Sequence, residues 1–413
     1  MMVGMVRALV LVMMVMALGA VSAARAEVLP GVEVLVRDHA AELAGKRAGI
    51  LTNPTGVDRQ LVSTIDVVRA LPDVNVARLF GPEHGVRGQY FAGDKVAGDI
   101  DPVSGIPVAS LYGATRKPTP EMLEGLDVIL YDIQDIGSRS YTFVSSLTYL
   151  MEACADAGVA VWVLDRPEPM GGRVVSGPMI DDDLLSFIGI HPVPQVYGLT
   201  PGEWARMIRA ERVPDIDLRV IPMDGWKRGM TYGDLDWVWV PPSQHIPRWE
   251  SSYFYAMTGI IGELRRLNEG VGTPTPFELM GAPWLDSQAF AAAMSARGLE
   301  GIAFRPLTYS PRYATFSGES VQGVQLHVTD FSAVDPAAVG LALMTELVKL
   351  APEQAIFSEY LTSEGKPTGF LKALGSRQMA EQLAANQPPA PSAEEQAAYK
   401  AYVERRKGYL LYE

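Results

Sequence analysis

Residues 127–165 read DVILYDIQDIGSRSYTFVSSLTYLMEACADAGVAVWVLD, and the fold follows from how that stretch divides. Its ends, 127–132 and 159–165, are short and almost wholly apolar, the pattern of strands buried on both faces. Between them, over 140–158, Tyr141, Val144, Leu147, Met151 and Cys154 recur at helical spacing. That spacing predicts a helix with Cys154 in the core. Strand, helix, strand is the repeating unit of a parallel sheet.

The same rhythm runs outward. Strand-length apolar runs fall at 48–53 (AGILTN), 74–80 (VNVARLF) and 106–112 (IPVASLY), with a helical segment STIDVVRAL at 63–71. The expected fold is α/β, a Rossmann-like doubly wound parallel sheet with helices on both faces. Past Val240 the chain turns Pro- and Gly-rich. It then offers a helix around 286–297, a strand VQGVQLHV at 321–328, an amphipathic helix over 336–350 and a last helix after QPPAPS (387–392). A Rossmann-like domain over 27–240 and a smaller α+β domain over 241–413 are therefore expected, with no internal repeat.

At 413 residues, 48% hydrophobic and 20% charged, the chain can bury two or three cores. Residues 1–26 stand apart. Arg7, the apolar run over 8–20 and Ala24-Arg25-Ala26 have the basic, apolar and cleavage regions of a secretory signal peptide. The mature chain is then expected outside the cytoplasm, periplasmic or secreted. The apolar run is short for a membrane span, so no stable membrane insertion is expected. Cys154 is the single cysteine, so core burial and not disulfides must hold the fold. A formal charge of −13 provides no basic footprint for nucleic acid.

Several common chemistries lack their motifs. No G-x-G-x-x-G follows the first strand, and no phosphate-binding G-x-x-x-x-G-K-[ST] occurs. G-x-S-x-G and H-E-x-x-H are missing too. Ser363 and Lys366 form an S-x-x-K in a loop, read as a chance match. The five histidines show no metal-ligand spacing, so neither a metal nor an organic cofactor is expected. Asp181, Asp182 and Asp183 read as a solvated loop.

In open α/β sheets ligands bind beyond the carboxyl ends of the strands. The residues expected there are Asn53, Glu83 with His84, Tyr112, then Asp132, Gln134 and Asp135, then Asp165 and Arg166. Each has a plainer alternative. Asp165 could cap a turn, Arg139 could be a buried partner of Asp132 or Asp135, and His84 could be a satisfied neighbour of the site. Glu83 is the hardest to explain by packing, standing in FGPEHGVRG (80–88) between glycines. A carboxylate in a partly dry cleft has its pKa raised, and a nearby cation lowers it again. Such tuning suits acid–base work on a glycosidic bond, where two carboxyls flank the scissile bond.

The chain resembles the exo-β-N-acetylmuramidase (NamZ) family of peptidoglycan hydrolases. The resemblance is carried in order by FGPEHGVRG (80–88), SLYGATRKPT (110–119), DVILYDIQDIGSRSYT (127–142), VLDRPEPMGG (163–172), SGPMIDD (176–182), PPS (241–243), GVGTPTPFELMGAPW (270–284) and YLLY (409–412). It spans the mature chain and implies an interdomain cleft. It also implies release of N-acetylmuramic acid from the non-reducing ends of peptidoglycan fragments such as MurNAc-GlcNAc. The family's catalytic glutamate falls on Glu83. By the resemblance, Asp132 or Asp135 would be the second carboxylate or orient the substrate acetamide, His84 would tune Glu83, and Tyr141 would bond the sugar. Arg87, Arg139 and Arg166 would hold the lactyl carboxylate of muramic acid, with Asn53, Tyr112, Gln134, Asp165 and Glu269 completing the substrate site. The chain departs from the family pattern at Glu168, at Gln244-His245, over 196–200 and at Val271. A non-catalytic muropeptide-binding protein, or an exported hydrolase of other wall specificity, is the competing reading. Oligomeric state stays open.

Overall fold

A computed structural model describes residues 27–88 and 99–413. The leader expected over 1–26 lies outside the described residues. Strands β7 (Ser176–Met179) and β8 (Pro194–Val196) form a separate antiparallel pair, and the central sheet has strands β1 (Arg47–Thr52), β2 (Asn75–Gly81), β3 (Asp99–Ile100), β4 (Pro107–Ser110), β5 (Val128–Asp132), β6 (Ala160–Leu164) and β9 (Leu218–Ile221). Their order is β3-β4-β2-β1-β5-β6-β9. The pairings are parallel except at the edge, where β3 runs antiparallel to β4. The chain builds outward from β1 to one side through β2 and β4, then returns to build the other side from β5. That is the doubly wound order, with its switch point between β1 and β5.

Alternation along β5 explains why the sheet needs helices on both faces. Val128 and Leu130 enter one core with Ile50, Leu79, Trp162 and the helix Thr64–Arg69, while Ile129 and Tyr131 enter the other with Phe80, Val161 and the helix Phe143–Ala157. Cys154 lies in the second core, fully buried. Helix Phe143–Ala157 stops at Gly158, which takes the left-handed φ of +68 favoured at helix C-termini. Helix Pro201–Glu211 begins with a capping box, Thr200 and Glu203 each bonding the other's backbone N–H.

The second domain is a three-stranded antiparallel sheet ordered β10 (Leu279–Ala282), β12 (Val321–Val328), β11 (Ile302–Tyr309). Helices Ser251–Gly262, Ser287–Ser295 and Pro336–Leu350 cover it. Its core also takes Ile136, Met170, Ile180 and Val196 from the first domain, so the two domains share apolar packing.

The last segment returns to the first domain. Helix Ala393–Arg406 inserts Tyr402 into the core beneath the large sheet, and the Tyr402 hydroxyl donates to the Tyr197 carbonyl at 2.7 Å. Tyr412 then packs with Val28 and Met223 and donates to Asp165 Oδ2 at 2.6 Å. A simple division at residue 240 misses this return, because amphipathic spacing shows that a helix has an apolar face but not which core receives it.

Candidate active site

The chain leaves β2 in a tight turn that positions Glu83. Gly85 N–H donates to the Pro82 carbonyl at 2.9 Å, and His84, third in the turn, has φ +69. A positive φ there marks a type II turn, and a non-glycine residue in that region costs on the order of 1–3 kcal/mol. The strain falls on the residue next to the glutamate.

Glu83 and His84 line a cleft of ≈ 260 Å³. Tyr112 follows β4 in the same wall, and Ser140 to Phe143 come from the turn that leads into the helix after β5. The facing wall comes from Ser243–Ile246 and from Tyr255, Glu263 and Phe277 of the second domain. The Thr142 hydroxyl donates to Glu83 Oε2 at 3.2 Å. The Tyr112 hydroxyl is near Glu83; burial, then the charge of Glu83, pushes its pKa up to about 12, so it remains a donor at neutral pH. The Tyr141 hydroxyl is buried beside Ser243 without a hydrogen bond of normal geometry, its ring edge-on to Phe143 and Tyr255. A sugar hydroxyl in the cleft would satisfy it. His245 stacks on Tyr313, and burial, then the charge of His84, lowers its pKa.

Glu263 is the cleft's second carboxyl. It caps the helix Ser251–Gly262 and is exposed. Partial desolvation in the cleft raises its pKa; Arg265 opposes the rise and Glu83 adds to it. Desolvation and repulsion from a second carboxylate both favour the protonated form of a carboxyl, and enzymes use both. Sequence reasoning missed Glu263 because nothing local marks it: it closes an apolar helix in the other domain.

The other expected carboxylates do not face this cleft, and the structure corrects that expectation. Asp132 is wholly buried at the switch point, in an ion pair with Arg166 and bonded to the Thr64 hydroxyl. Asp135 bonds the Tyr197 hydroxyl and the Gly137 N–H, and burial pushes its pKa up to about 6. Asn53 accepts from the Thr55 N–H at 3.0 Å, and Gln134 donates to the Asp135 and Pro167 carbonyls. Asp165 holds Thr200, Gly202 and Tyr412, with its pKa pushed up to about 7 by burial. These side chains fill the crevice where a doubly wound fold usually admits its ligand, so the cleft lies to one side, beyond β2 and β4. Glu269 sits behind Glu263, against Gly262, its pKa pushed up to about 7 by burial.

None of the three arginines expected to bind an anion is available for it. Arg139 is buried and donates to the Pro178, Val193, Ala373 and Leu374 carbonyls, joining the domains. Arg166 serves Asp132, and Arg87 holds Asp101 at 2.8 Å. Among the described residues no group of three His, Cys, Asp or Glu side chains is arranged to hold a metal, and no helix is long and apolar enough to cross a membrane. Ser363 and Lys366 are exposed, the lysine paired with Glu364.

Fold and site define a two-domain α/β protein whose domains each present a glutamate to one cleft. The chain belongs to the NamZ family: the model for the N-terminal domain of the exo-β-N-acetylmuramidase NamZ matches residues 48–250 and that for its C-terminal domain 253–412. It is 41% identical over 336 residues to a peptidoglycan β-N-acetylmuramidase NamZ of Bacillus subtilis, covering 81% of each chain. A DUF1343-family crystal structure from Bacteroides fragilis superposes with a TM-score of 0.85 at 38% identity, covering 94% of this chain and 100% of that one. A second from the same organism has a TM-score of 0.72 at 25% identity, covering 94% and 99%.

Proposed function

We propose that this protein is a glycoside hydrolase, an exo-acting β-N-acetylmuramidase that removes N-acetylmuramic acid from the non-reducing ends of peptidoglycan fragments such as MurNAc-GlcNAc. Family membership supports the reaction class. The observation that carries the assignment to this site is that Glu83 and Glu263 line one cleft, with Glu83 accepting from the Thr142 hydroxyl and Tyr112 in the same wall.

Cleaving a glycosidic bond needs a proton on the leaving oxygen and a nucleophile or base at the sugar's anomeric carbon. Glu83 is the group that acts on the bond, and Glu263 is the second carboxyl of the cleft. Tyr141, Ser140 and His245 are placed to bond the sugar. The basic, apolar and small-residue pattern of 1–26 supports export, which would bring the enzyme to wall fragments outside the cytoplasm.

The test is incubation of the mature protein with MurNAc-GlcNAc and with the same glycan capped by a non-reducing GlcNAc, followed by mass spectrometry. Free N-acetylmuramic acid from the uncapped substrate alone is the expected result. Binding without product from either would favour a muropeptide-binding protein instead.

A further inference from the structure

The muramidase reading leaves one chemical requirement unmet by the side chains discussed so far. N-acetylmuramic acid differs from N-acetylglucosamine by a lactyl ether at C3, which ends in a carboxylate. C3 and the attacked C1 belong to one ring, so that carboxylate must lie within a sugar's width of the catalytic glutamate. A buried or half-buried carboxylate needs a cation, and a guanidinium binds it best because two N–H groups can donate in parallel.

Arg116 meets these conditions. It lies in the segment after β4, four residues beyond Tyr112. Its guanidinium stands 4.3 Å from the Phe187 ring centroid and 5.1 Å from that of Tyr112. Phe187 is itself stacked on Tyr149 at 5.8 Å, so the platform is packed from behind. Stacking on aromatic faces engages the flat side of a guanidinium and leaves its N–H edge able to donate. Tyr112, whose ring carries the Arg116 guanidinium, lines the same cleft wall as Glu83, which places the cation one tyrosine away from the reacting carboxyl. No carboxylate among the described residues forms an ion pair with Arg116, in contrast to Arg87 and Arg166. The side chain is exposed beside Tyr112 of the cleft wall and not locked into the core.

We propose that Arg116, held on the Tyr112–Phe187 platform, binds the lactyl carboxylate and gives the cleft its selectivity for muramic acid over glucosamine. This rests on the muramidase reading. Arg116 touches a part of the sugar that does not react, so its loss weakens binding of the acid more than it slows chemistry.

The experiment measures KM and kcat for 4-nitrophenyl β-N-acetylmuramide and for its lactyl methyl ester, which lacks the charge. Wild type, Arg116→Gln and Arg116→Lys are compared, with circular dichroism as the folding control. For the free acid, Arg116→Gln is expected to raise KM about 10- to 100-fold, the range of a lost charged hydrogen-bonded pair, while kcat changes little. For the ester, the same variant should leave KM near the wild-type value, and Arg116→Lys should recover part of the preference for the acid. An active wild type whose acid-to-ester KM ratio is unchanged in Arg116→Gln overturns the assignment of Arg116 alone. A wild type that hydrolyses neither glycoside overturns the muramidase reading and the assignment with it.

Discussion

Glu168 allows a quantitative forecast because its environment is so one-sided. The side chain is 2% exposed, its Oε2 accepts from the Gly172 N–H at 2.5 Å, and its Oε1 has no partner. It fits only because Gly137 opposite, at φ +77, has no Cβ to occupy the same space. Burial pushes the Glu168 pKa from the ordinary 4.5 up to about 8, against the pull of the Gly172 N–H. A tenfold change in equilibrium is 1.36 kcal/mol, so ionising this carboxyl in place costs on the order of 5 kcal/mol at most. The folded pKa is above the unfolded one. The neutral form's contribution is therefore complete below pH 4.5, declines as pH rises, and is gone above about pH 8. Over that window the slope from this residue is about 1.4 kcal/mol per pH unit. Asp135 and Asp165, shifted to about 6 and about 7 by burial, add slopes of the same sign at lower pH. Glu168→Gln keeps the shape and the amide-accepting oxygen but cannot ionise. Urea midpoints by tryptophan fluorescence at pH 5, 6, 7 and 8 should show the variant gaining on wild type at each step. Parallel stability curves across that range would refute the reasoning.

Other changes follow from the same contacts. Glu263→Gln should lower kcat on muramic acid glycosides by about 10²–10⁴-fold with the melting temperature unchanged, as initial rates and thermal unfolding would show. Arg166→Met leaves Asp132 buried beside Thr64 without its cation and should destabilise by about 3–5 kcal/mol, read from denaturant unfolding. Tyr402→Ala removes a fully buried ring and its bond to the Tyr197 carbonyl; a loss of about 3–5 kcal/mol is expected, with hydrogen exchange rising under the large sheet.

How far the sequence was legible depended on the range of the interaction. The strands at 48–53, 74–80, 127–132 and 159–165 were recognisable because a parallel strand buried on both faces must be apolar along its length. The helix Pro336–Leu350 and the strand Val321–Val328 have the bounds expected from their own periodicity. Glu83 was legible because a carboxylate among glycines has no packing role. Asp132 and Arg166 misled for the opposite reason: strand-end polar groups mark the switch point equally well whether they bind a ligand or each other, and only the fold shows that they pair. Glu263 and Arg116 could not be found by spacing at all. Glu263 reaches the cleft from an element distant in sequence from Glu83 and is identified by its neighbours there, Glu83 and Arg265, while Arg116 is identified by the two aromatic rings beneath it.

The central claim is that Glu83 performs chemistry in a cleft shared by both domains. Its most direct test is the rate of N-acetylmuramic acid release from MurNAc-GlcNAc by wild type and by Glu83→Gln, with disaccharide affinity measured by calorimetry on the same samples. The account predicts release by the wild type, and in the variant a rate at least about 10²-fold lower with affinity and fold preserved. A Glu83→Gln enzyme that releases the sugar at a near-wild-type rate would contradict it.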